Sequence, residues 1–306
     1  MKWIGIFFIL FLFLMVHGEA QEFIPLWPDK AMPNSKGVLM KDSISNERIF
    51  RVGTPGVDVF FPSVQENKGV AVLICPGGGY ERLAYLISGH QLAKWFNTMG
   101  VAAFVLKYRL PNSPDLKQRE LAPLQDAQRA IRLIRAHAAE WRIKPEKIGV
   151  LGTSAGGHLA ATLGTHRNDV SAIGDSLERI SFRPDFMLLI SPVISMGNYA
   201  HAGSRRNLLG ENPSNELIKK YSNELQVSPE TPPSFLVHAY NDQSVHPQNS
   251  ILFYQALQDQ HVLASLHIFP QGGHSIALRN NPGSTELWII LCEQWLVEMG
   301  FLIKLQ

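Results

Sequence analysis

The sequence predicts an α/β protein with a mostly parallel central sheet and helices on both faces. Short apolar runs alternate with segments of helical periodicity, an arrangement typical of parallel strands joined by crossover helices. The apolar runs are continuous, as expected for strands that are covered on both faces. The chain has 306 residues, of which 45% are hydrophobic and 18% charged, so it can bury one large core.

The segment before the first central strand is predicted to be irregular and then to form a hairpin. Residues 21–45 contain several prolines and are too few for a helical cap. Residues 48–52 and 57–61 flank the turn-forming stretch Gly53-Thr54-Pro55-Gly56. We therefore expect these two short strands to pair with each other.

The central strands and helices then follow in alternation. Strands are predicted at residues 70–75, 101–107, 147–151, 186–190, 235–239 and 264–269. Helices are predicted at residues 88–99, 125–141, 159–164, 247–260 and 284–299. The stretch 197–231 is predicted to be the longest irregular insertion. No linker or repeat interrupts the pattern, so residues 21–306 are expected to form one domain.

The stretch from Lys147 to His158 carries the strongest chemical signal. Its Gly152-x-Ser154-x-Gly156 motif lies between a predicted buried strand and a small-residue helix, which is the context of a nucleophile elbow. Such a turn lifts the serine hydroxyl above the sheet at a helix N-terminus, where developing negative charge is favoured. Ser154 is therefore the predicted nucleophile. The alternative is a glycine-rich turn that only connects two elements.

A serine hydroxyl needs a base, and the base needs a third group to orient it. Asp242 follows the strand at 235–239, and His274 follows the strand at 264–269. Both lie where strands end, at the edge of the sheet where open α/β folds place their ligand sites. The chain order of serine, acid and histidine is that of α/β-hydrolases. Ser154, Asp242 and His274 are therefore predicted to form a catalytic triad.

The two partner residues have alternative interpretations: Asp242 as a turn stabiliser and His274 as an ordinary loop histidine. Asp185 precedes a strand, at the wrong edge of the sheet to orient the base. Three further histidines compete for the role of base: His238, His246 and His267. Two of these lie within predicted strands, and the third precedes a proline that opens a helix.

Two sources of backbone N–H groups are candidates for stabilising a tetrahedral intermediate. One is Ala155, directly after the nucleophile, and the other is the run Gly77-Gly78-Gly79. Donors of this kind typically lower a reaction barrier by about 3 kcal/mol each. The alternative for the glycine run is a flexible turn. A phosphate-binding loop fits less well, because neither GK[ST] nor GxGxxG follows.

Residues close to these motifs are candidates for supporting roles. His158 lies about one helical turn after Ser154 and is expected to pack or support rather than act as a base. Position along the chain makes four residues candidates for the cleft wall: Tyr80, Glu81, Arg82 and His90.

Charge and cysteine content restrict the partners. The formal net charge is +2 and no basic run occurs, so no nucleic acid partner is implied. No cluster of His, Cys and Asp has the spacing of metal ligands, so neither a metal nor a cofactor is implied. Cys75 and Cys292 are predicted to be buried free thiols, with a single disulfide as the alternative.

Residues 1–20 have the features of a signal peptide. A short positive start precedes the apolar run 4–16, and Gly18-Glu19-Ala20 supplies small residues for cleavage after Ala20. The run is short for a membrane span, and no cysteine follows it for a lipid anchor. We therefore expect a secreted or periplasmic protein without a stable membrane partner. The alternative is an uncleaved anchor.

The chain resembles α/β-hydrolases in several stretches. Pro76-Gly77-Gly78-Gly79-Tyr80 is similar to the HGGG-type oxyanion loop of hormone-sensitive-lipase-like esterases. It is closer to a branch of secreted bacterial carbohydrate esterases that includes acetylxylan and acetyl/feruloyl esterases, in which proline replaces the histidine. The stretches that also look similar to this branch are Gly152-Thr153-Ser154-Ala155-Gly156-Gly157-His158, Ser191-Pro192-Val193-Ile194-Ser195-Met196, Arg205-Arg206-Asn207-Leu208-Leu209-Gly210 and His267-Ile268-Phe269-x-x-Gly272-Gly273-His274.

The resemblance extends from roughly residue 45 to the C-terminus. It implies an α/β-hydrolase fold. The chain departs from hormone-sensitive-lipase-like enzymes in one respect: the region before the first strand is too short for their helical cap, so we expect no large cap domain and an open cleft. The resemblance also implies roles for the motif residues: Ser154 as nucleophile, His274 as base and Asp242 as the acid that orients the base. By the same resemblance, Gly78, Gly79 and Ala155 supply the oxyanion hole.

Together these observations predict a serine esterase that acts on short acyl esters, with acetyl groups on a plant polysaccharide such as xylan as the expected substrate. Three alternatives stay open: a general short-chain carboxylesterase, a serine peptidase of the prolyl-oligopeptidase type, and a hydrolase fold that only binds. Such peptidases usually carry a propeller domain, and the sequence has no propeller-type repeats. The sequence does not determine the oligomeric state.

Overall fold

The computed structural model describes residues 22–28, 31–274 and 276–303, so the signal peptide predicted at residues 1–20 lies outside the described residues. The described part contains ten strands: β1 (Glu22–Pro25), β2 (Ser43–Ser45), β3 (Arg48–Arg51), β4 (Gly56–Phe60), β5 (Val70–Cys75), β6 (Val101–Lys107), β7 (Ile148–Thr153), β8 (Met187–Ile190), β9 (Ser234–Ala239) and β10 (Ala264–Phe269).

Eight of these strands form one sheet, in the order β1-β4-β6-β5-β7-β8-β9-β10. The six strands from β6 to β10 in this order are parallel, whereas β4 and β1 are added antiparallel at one edge. Every residue of β5 and β6 is buried, so both faces of the sheet centre are covered. The predicted α/β class and parallel sheet are confirmed.

The helices pack around this sheet and cross over between its parallel strands. They are α1 (Gln91–Thr98), α2 (Ala122–Ala136), α3 (Ala155–Thr165), α4 (Ala202–Leu209), α5 (Asn215–Tyr221), α6 (Gln248–Asp259) and α7 (Trp288–Glu298). A π-helical turn, Leu86–His90, leads into α1, so the single helix predicted at 88–99 begins with a different backbone geometry. Gly100 ends this helix with a positive φ of 77°.

The hairpin predicted from residues 48–52 and 57–61 is wrong in its pairing, although both strands exist. β3 pairs with β2 in a separate two-stranded sheet, whereas β4 pairs with β1 and β6. The difference follows from burial. β4 buries Val57 and Val59 and therefore belongs in the core sheet, while β3 exposes both of its arginines.

Two segments predicted as irregular contain regular structure. The lead-in 21–45 contributes β1 and β2, and the insertion 197–231 contains α4 and α5. Both insertion helices have a side-chain N-cap: His201 accepts a hydrogen bond from the Ser204 N–H, and Ser214 accepts one from the Leu217 N–H. A cap of this kind stabilises a short helix without a long periodic pattern, which explains why the prediction missed it.

The lead-in is tied to α2 by a buried polar network. The indole N–H of Trp27 donates to Asp126 Oδ1 over 2.8 Å, and Arg109 Nη2 donates to the same oxygen over 2.8 Å. The Arg109 and Asp126 side chains are 3% and 0% exposed, so this ion pair is almost completely removed from water. Arg129 adds a hydrogen bond to the carbonyl of Leu26.

Both cysteines are buried and unbonded, as predicted. Burial raises the pKa of each thiol well above its ordinary value, so both are protonated at neutral pH. Within the described ranges, no helix has the length and apolar character needed to cross a bilayer.

Candidate active site

The site is built around the turn between β7 and α3. Ser154 has a φ of 58° and a ψ of −123°, a strained conformation directly before the first residue of α3. A methyl group at Gly152 would overlap the carbonyl oxygen of Gly156, and one at Gly156 would overlap the carbonyl oxygen of Cys75. Both glycines are therefore required by the close approach of the strand and the helix, as the elbow motif predicts.

Three residues from distant parts of the chain meet at this turn. Ser154 Oγ lies 2.8 Å from His274 Nε2, and His274 Nδ1 lies 2.8 Å from Asp242 Oδ2. Because an ionised carboxylate only accepts hydrogen bonds, Nδ1 carries the imidazole proton and Nε2 accepts from the serine hydroxyl. The structure thus brings together all three residues of the predicted triad, in an orientation that allows proton transfer from serine to histidine.

Asp242 is completely buried and held by four donors. Oδ1 accepts from the N–H groups of Ser244 and Val245, and Oδ2 accepts from His274 and, at 3.2 Å, from His238. Burial alone would raise the pKa of this carboxyl. The hydrogen bonds from both histidines and from Val245 outweigh it and hold the pKa well below its usual range, so Asp242 is ionised.

His238 is the nearest competitor of His274, and its place in the site was not predicted. It lies inside β9, as expected, but its Nε2–H points to the Val245 carbonyl, at 2.9 Å, and to Asp242. Its Nδ1 accepts from the Ser250 hydroxyl at 2.8 Å. His238 therefore supports the acid and does not contact Ser154. Its position four residues before Asp242 is the signal that the sequence offered.

The other residues considered as base or acid do not take part in the triad. His246 accepts from the Gln248 N–H and His267 contacts Ser265, and neither residue lines the cleft that contains the serine hydroxyl. Asp185 binds Arg135 and the N–H of Ile148 at the amino ends of the strands, the opposite edge of the sheet.

The glycine run after β5 presents free backbone amides beside Ser154. Gly78 and Gly79 have positive φ values of 130° and 67°, and so does Tyr80 at 59°. Gly77 N–H donates to Ser88 Oγ over 3.1 Å. No described group accepts a hydrogen bond from the N–H of Gly78 or Gly79, and Ala155 begins α3, where an N–H has no partner within the helix. The three predicted oxyanion donors are thus available for a ligand.

The loop that carries these amides is held from below by His158. The imidazole is fully buried, and its Nε2 donates to the Tyr221 carbonyl over 2.8 Å. Its Nδ1 must then accept from the Tyr80 hydroxyl, also at 2.8 Å. Burial lowers the pKa of His158 to about 4. Both nitrogens are engaged, which agrees with the supporting role predicted for His158.

A cleft of about 460 Å³ opens above Ser154 and His274. Glu81 and Arg82 line it, as predicted, whereas Tyr80 lies buried below the loop and His90 instead bonds Asp58. The insertion 197–231 adds four lining residues that the sequence did not assign to the cleft: His201, Gly203, Arg206 and Asn207. Asn207 also donates to the Gly79 carbonyl over 2.8 Å. The one signal for Arg206 and Asn207 was the Arg205–Gly210 stretch noted for its resemblance.

Sequence comparison places this chain in a known family. The BD-FAE family profile matches residues 57–257. The chain is 37% identical over 214 residues to endo-1,4-beta-xylanase B of Butyrivibrio fibrisolvens, which covers 70% of this chain and 33% of that protein. It is 32% identical over 245 residues to an acetylxylan esterase of Xylanibacter ruminicola, covering 78% and 46% respectively. The chain thus spans less than half the length of these curated relatives.

Solved structures share the architecture. An acetyl ester-xyloside bifunctional hydrolase from Caldicellulosiruptor lactoaceticus has a TM-score of 0.78 and 38% identity, covering 92% of this chain and 97% of that one. The carboxylesterase Cest-2923 from Lactobacillus plantarum has a TM-score of 0.70 at 22% identity, covering 87% and 100%. The fold is that of the α/β-hydrolases, as predicted.

Proposed function

The chain belongs to the BD-FAE family of carboxylic ester hydrolases, and from this membership we propose that it is a serine esterase that removes short acyl groups, above all acetyl, from xylan-type polysaccharide. The observation that carries the proposal is the unbroken hydrogen-bond chain from Ser154 through His274 to Asp242. Two relatives named for acetyl ester chemistry, one of them named for xylan, support the choice of substrate.

The first half of the reaction forms an acyl-enzyme. Ser154 Oγ attacks the ester carbonyl carbon while its proton passes to His274 Nε2, which lies 2.8 Å away. The carbonyl oxygen becomes an oxyanion that accepts from the free N–H groups of Gly78, Gly79 and Ala155. The bond from carbon to the alcohol oxygen then breaks, and His274 returns the proton to that oxygen as the alcohol leaves.

The second half repeats these steps with water. A water molecule gives its proton to His274 Nε2 as its oxygen attacks the acyl carbon. The tetrahedral intermediate collapses to the free acid, and the proton returns to Ser154 Oγ. Throughout, ionised Asp242 stabilises the imidazolium form of His274 and keeps the proton on Nδ1. A carboxyl with an ordinary pKa would also be ionised at pH 7, so the lowered pKa mainly extends this arrangement to acidic solution.

Export is part of the proposal, because a polymer such as xylan is met outside the cell. We propose that residues 1–20 direct secretion or transfer to the periplasm and are removed after Ala20. Expression of the full chain in a bacterial host, followed by N-terminal sequencing of the protein from the extracellular or periplasmic fraction, checks this. The expected first residue is Gln21, and a protein that keeps residues 1–20 contradicts it.

The central experiment measures ester hydrolysis by residues 21–306 beside Ser154→Ala. The substrates are p-nitrophenyl esters of increasing chain length, acetylated xylan and a feruloylated oligosaccharide. We expect the shortest acyl chain and acetylated xylan to be preferred, and kcat to fall by about 10⁶-fold in Ser154→Ala. Ser63→Ala, which changes an exposed serine bonded to Glu66, is the matched control.

The outcomes separate the candidate functions. Acetate release from xylan that depends on Ser154 supports the proposal in full. Cleavage of p-nitrophenyl esters alone indicates a general carboxylesterase and removes the polysaccharide assignment. Activity that survives in Ser154→Ala contradicts the role given to the elbow, and an inactive wild-type protein favours a peptidase or a binding protein.

A further inference from the structure

His201 is the one histidine besides His274 that lines the cleft in the described structure. It belongs to the insertion 197–231 and stands at the N-terminus of α4. It lines the same cleft as Ser154 and His274, so its imidazole faces the space in which an ester and its leaving alcohol would lie.

The hydrogen bonds of His201 determine which nitrogen carries its proton. Nδ1 accepts from the backbone N–H of Ser204 over 3.2 Å and lies 2.8 Å from the Ser204 hydroxyl. Because a backbone N–H can only donate, Nδ1 has no proton of its own. In the neutral imidazole the proton is therefore on Nε2. No described residue accepts a hydrogen bond from that N–H.

The His201 imidazole is neutral at neutral pH, because its pKa is lowered. Burial lowers the pKa of His201, the charge of His274 lowers it further, and Asp242 partly offsets both effects. A neutral His201 keeps its Nε2–H as a donor without adding a second positive charge beside the imidazolium form of His274. Protonation would place an N–H on Nδ1 against the Ser204 N–H and remove the cap of α4.

The rest of the cleft wall favours hydrogen bonding over ring stacking. None of the lining residues that the structure describes is Phe, Tyr or Trp, the side chains on which sugar rings commonly stack. A sugar in this cleft is therefore held through its hydroxyl groups. The nearest of these to the reacting bond is the hydroxyl on the carbon next to the acylated one.

We propose that the cleft selects esters in which the carbon beside the acylated carbon bears a free hydroxyl, and that His201 Nε2–H donates a hydrogen bond to that hydroxyl oxygen. The inference rests on the proposed function and deepens it. It makes His201 a specificity residue that distinguishes an acetylated sugar unit from a simple alkyl or aryl acetate. The same contact directs the alcohol oxygen toward His274.

The experiment compares two substrates, with and without the neighbouring hydroxyl groups, in the wild-type enzyme and in two His201 variants. The substrates are methyl 3-O-acetyl-β-xyloside and its 2,4-dideoxy analogue, which has the same ester but no neighbouring hydroxyl. His201→Asn keeps an N-cap for α4, because asparagine is a favoured cap residue, but its side chain is too short to place an N–H where His201 Nε2–H lies. His201→Leu removes both. His137→Ala, which changes an exposed histidine paired with Glu140, is the control.

We expect His201→Asn to lower kcat/KM by about tenfold for the hydroxyl-bearing ester and by no more than about threefold for the dideoxy ester, because one neutral hydrogen bond is lost. The melting temperature should stay near that of wild type. Equal losses on both esters overturn the inference and leave His201 as a helix cap only. A wild-type enzyme that cleaves neither sugar ester but still cleaves p-nitrophenyl acetate through Ser154 overturns the polysaccharide assignment together with this inference.

Discussion

Among the single residues of the site, Asp242 carries the most interactions. Its carboxylate accepts from two backbone N–H groups and from two histidines while its side chain is fully buried. The same carboxylate therefore serves two purposes: it orients His274, and it closes the turn after β9. A substitution at this position should show up both in the reaction and in the stability of the fold.

We expect Asp242→Asn to lower kcat by about 10⁴-fold, because an amide can leave His274 in the wrong tautomer. Stability gives a second signature. The pKa of Asp242 is lower in the folded protein than in the unfolded chain, so its ionised form stabilises the fold above about pH 4 and loses that effect as pH falls toward the folded pKa. The difference in unfolding free energy between wild type and Asp242→Asn should shrink between pH 6 and pH 3.

Urea unfolding at several pH values measures this difference, and the hydrolysis of p-nitrophenyl acetate measures kcat. Asp259→Asn, at the end of α6, is a control of the same chemistry, and we expect it to change neither quantity by much. A stability difference that is independent of pH would show that the Asp242 charge contributes nothing to the fold.

The elbow glycines allow a prediction about backbone geometry. A methyl group at Gly152 overlaps a carbonyl oxygen of the following helix, so Gly152→Ala should cost about 2 kcal/mol or more of unfolding free energy and misplace Ser154. Gly197→Ala, whose added methyl would lie 3.4 Å from Ser195 Oγ, is the control and should cost less than about 1 kcal/mol. Thermal unfolding compares the two, and equal costs would contradict the crowding argument.

The triad residues could be predicted because each follows a strand that its apolar run identifies, and parallel strands end at one edge of the sheet. Neither His201 nor Asn207 directly follows an apolar run that identifies a strand. Their contacts join an insertion to residues far away in the chain, such as the 128 positions between Asn207 and Gly79. Local patterns carry no information about such contacts, so sequence reasoning could only leave the insertion unassigned.

At the scale of elements, the loop between β5 and α1 is fixed by four other parts of the structure. The π-helical turn holds it through Ser88, α4 through Asn207 and α3 through His158. The fourth contact is a pair of backbone hydrogen bonds between Leu83 and Ile49 of β3. Because three residues in this loop have positive φ, such support keeps the free amides in position.

Removing one of the contacts that hold this loop should lower transition-state stabilisation more than it weakens substrate binding. Asn207→Ala frees the Gly79 carbonyl, and we expect kcat to fall by about tenfold with a smaller change in KM, because an oxyanion donor is displaced. Asn215→Ala, at the exposed start of α5, is the matched control. Steady-state kinetics with p-nitrophenyl acetate decide the question. A rise in KM at constant kcat would instead assign Asn207 to ground-state binding.

The positions of the strands could be predicted where burial leaves a continuous apolar run in the sequence. The apolar runs located β5, β6 and β9 to within a residue, because a strand that is buried on both faces has few polar positions. The edge strand β10 was located equally well, although most of its residues are only partly buried. The partners of β3 and β4 were not predictable. A turn-forming stretch between two strands favours a hairpin. In the structure, β4 instead pairs with β6 in the core sheet, so it does not pair with β3.

Across the whole molecule, the N-terminal lead-in connects the antiparallel edge of the sheet to α2. Trp27 lies 99 residues before Asp126 and donates to it, and the guanidinium groups of Arg109 and Arg129 lie 5.7 Å and 5.2 Å from its ring. Asp126 also accepts from the backbone N–H of Arg109, at the end of β6. Removing the indole N–H therefore weakens a junction of three chain segments, and none of the residues that form the junction lines the cleft.

Trp27→Phe tests how much this junction contributes. The smaller phenyl ring keeps an aromatic face toward the arginines and part of the indole packing, and Asp126 loses one of its donors. A hydrogen bond to a charged group is worth about 1.5–3 kcal/mol. We expect a loss of this size in the free energy of urea unfolding, with kcat on p-nitrophenyl acetate within about twofold of wild type. Trp141→Phe is the matched control, since the Trp141 indole N–H has no described acceptor, and it should lose less than about 1 kcal/mol. If the two substitutions cost the same, the buried hydrogen bond does not stabilise the fold and the lead-in is held by packing and by strand pairing with β4 alone.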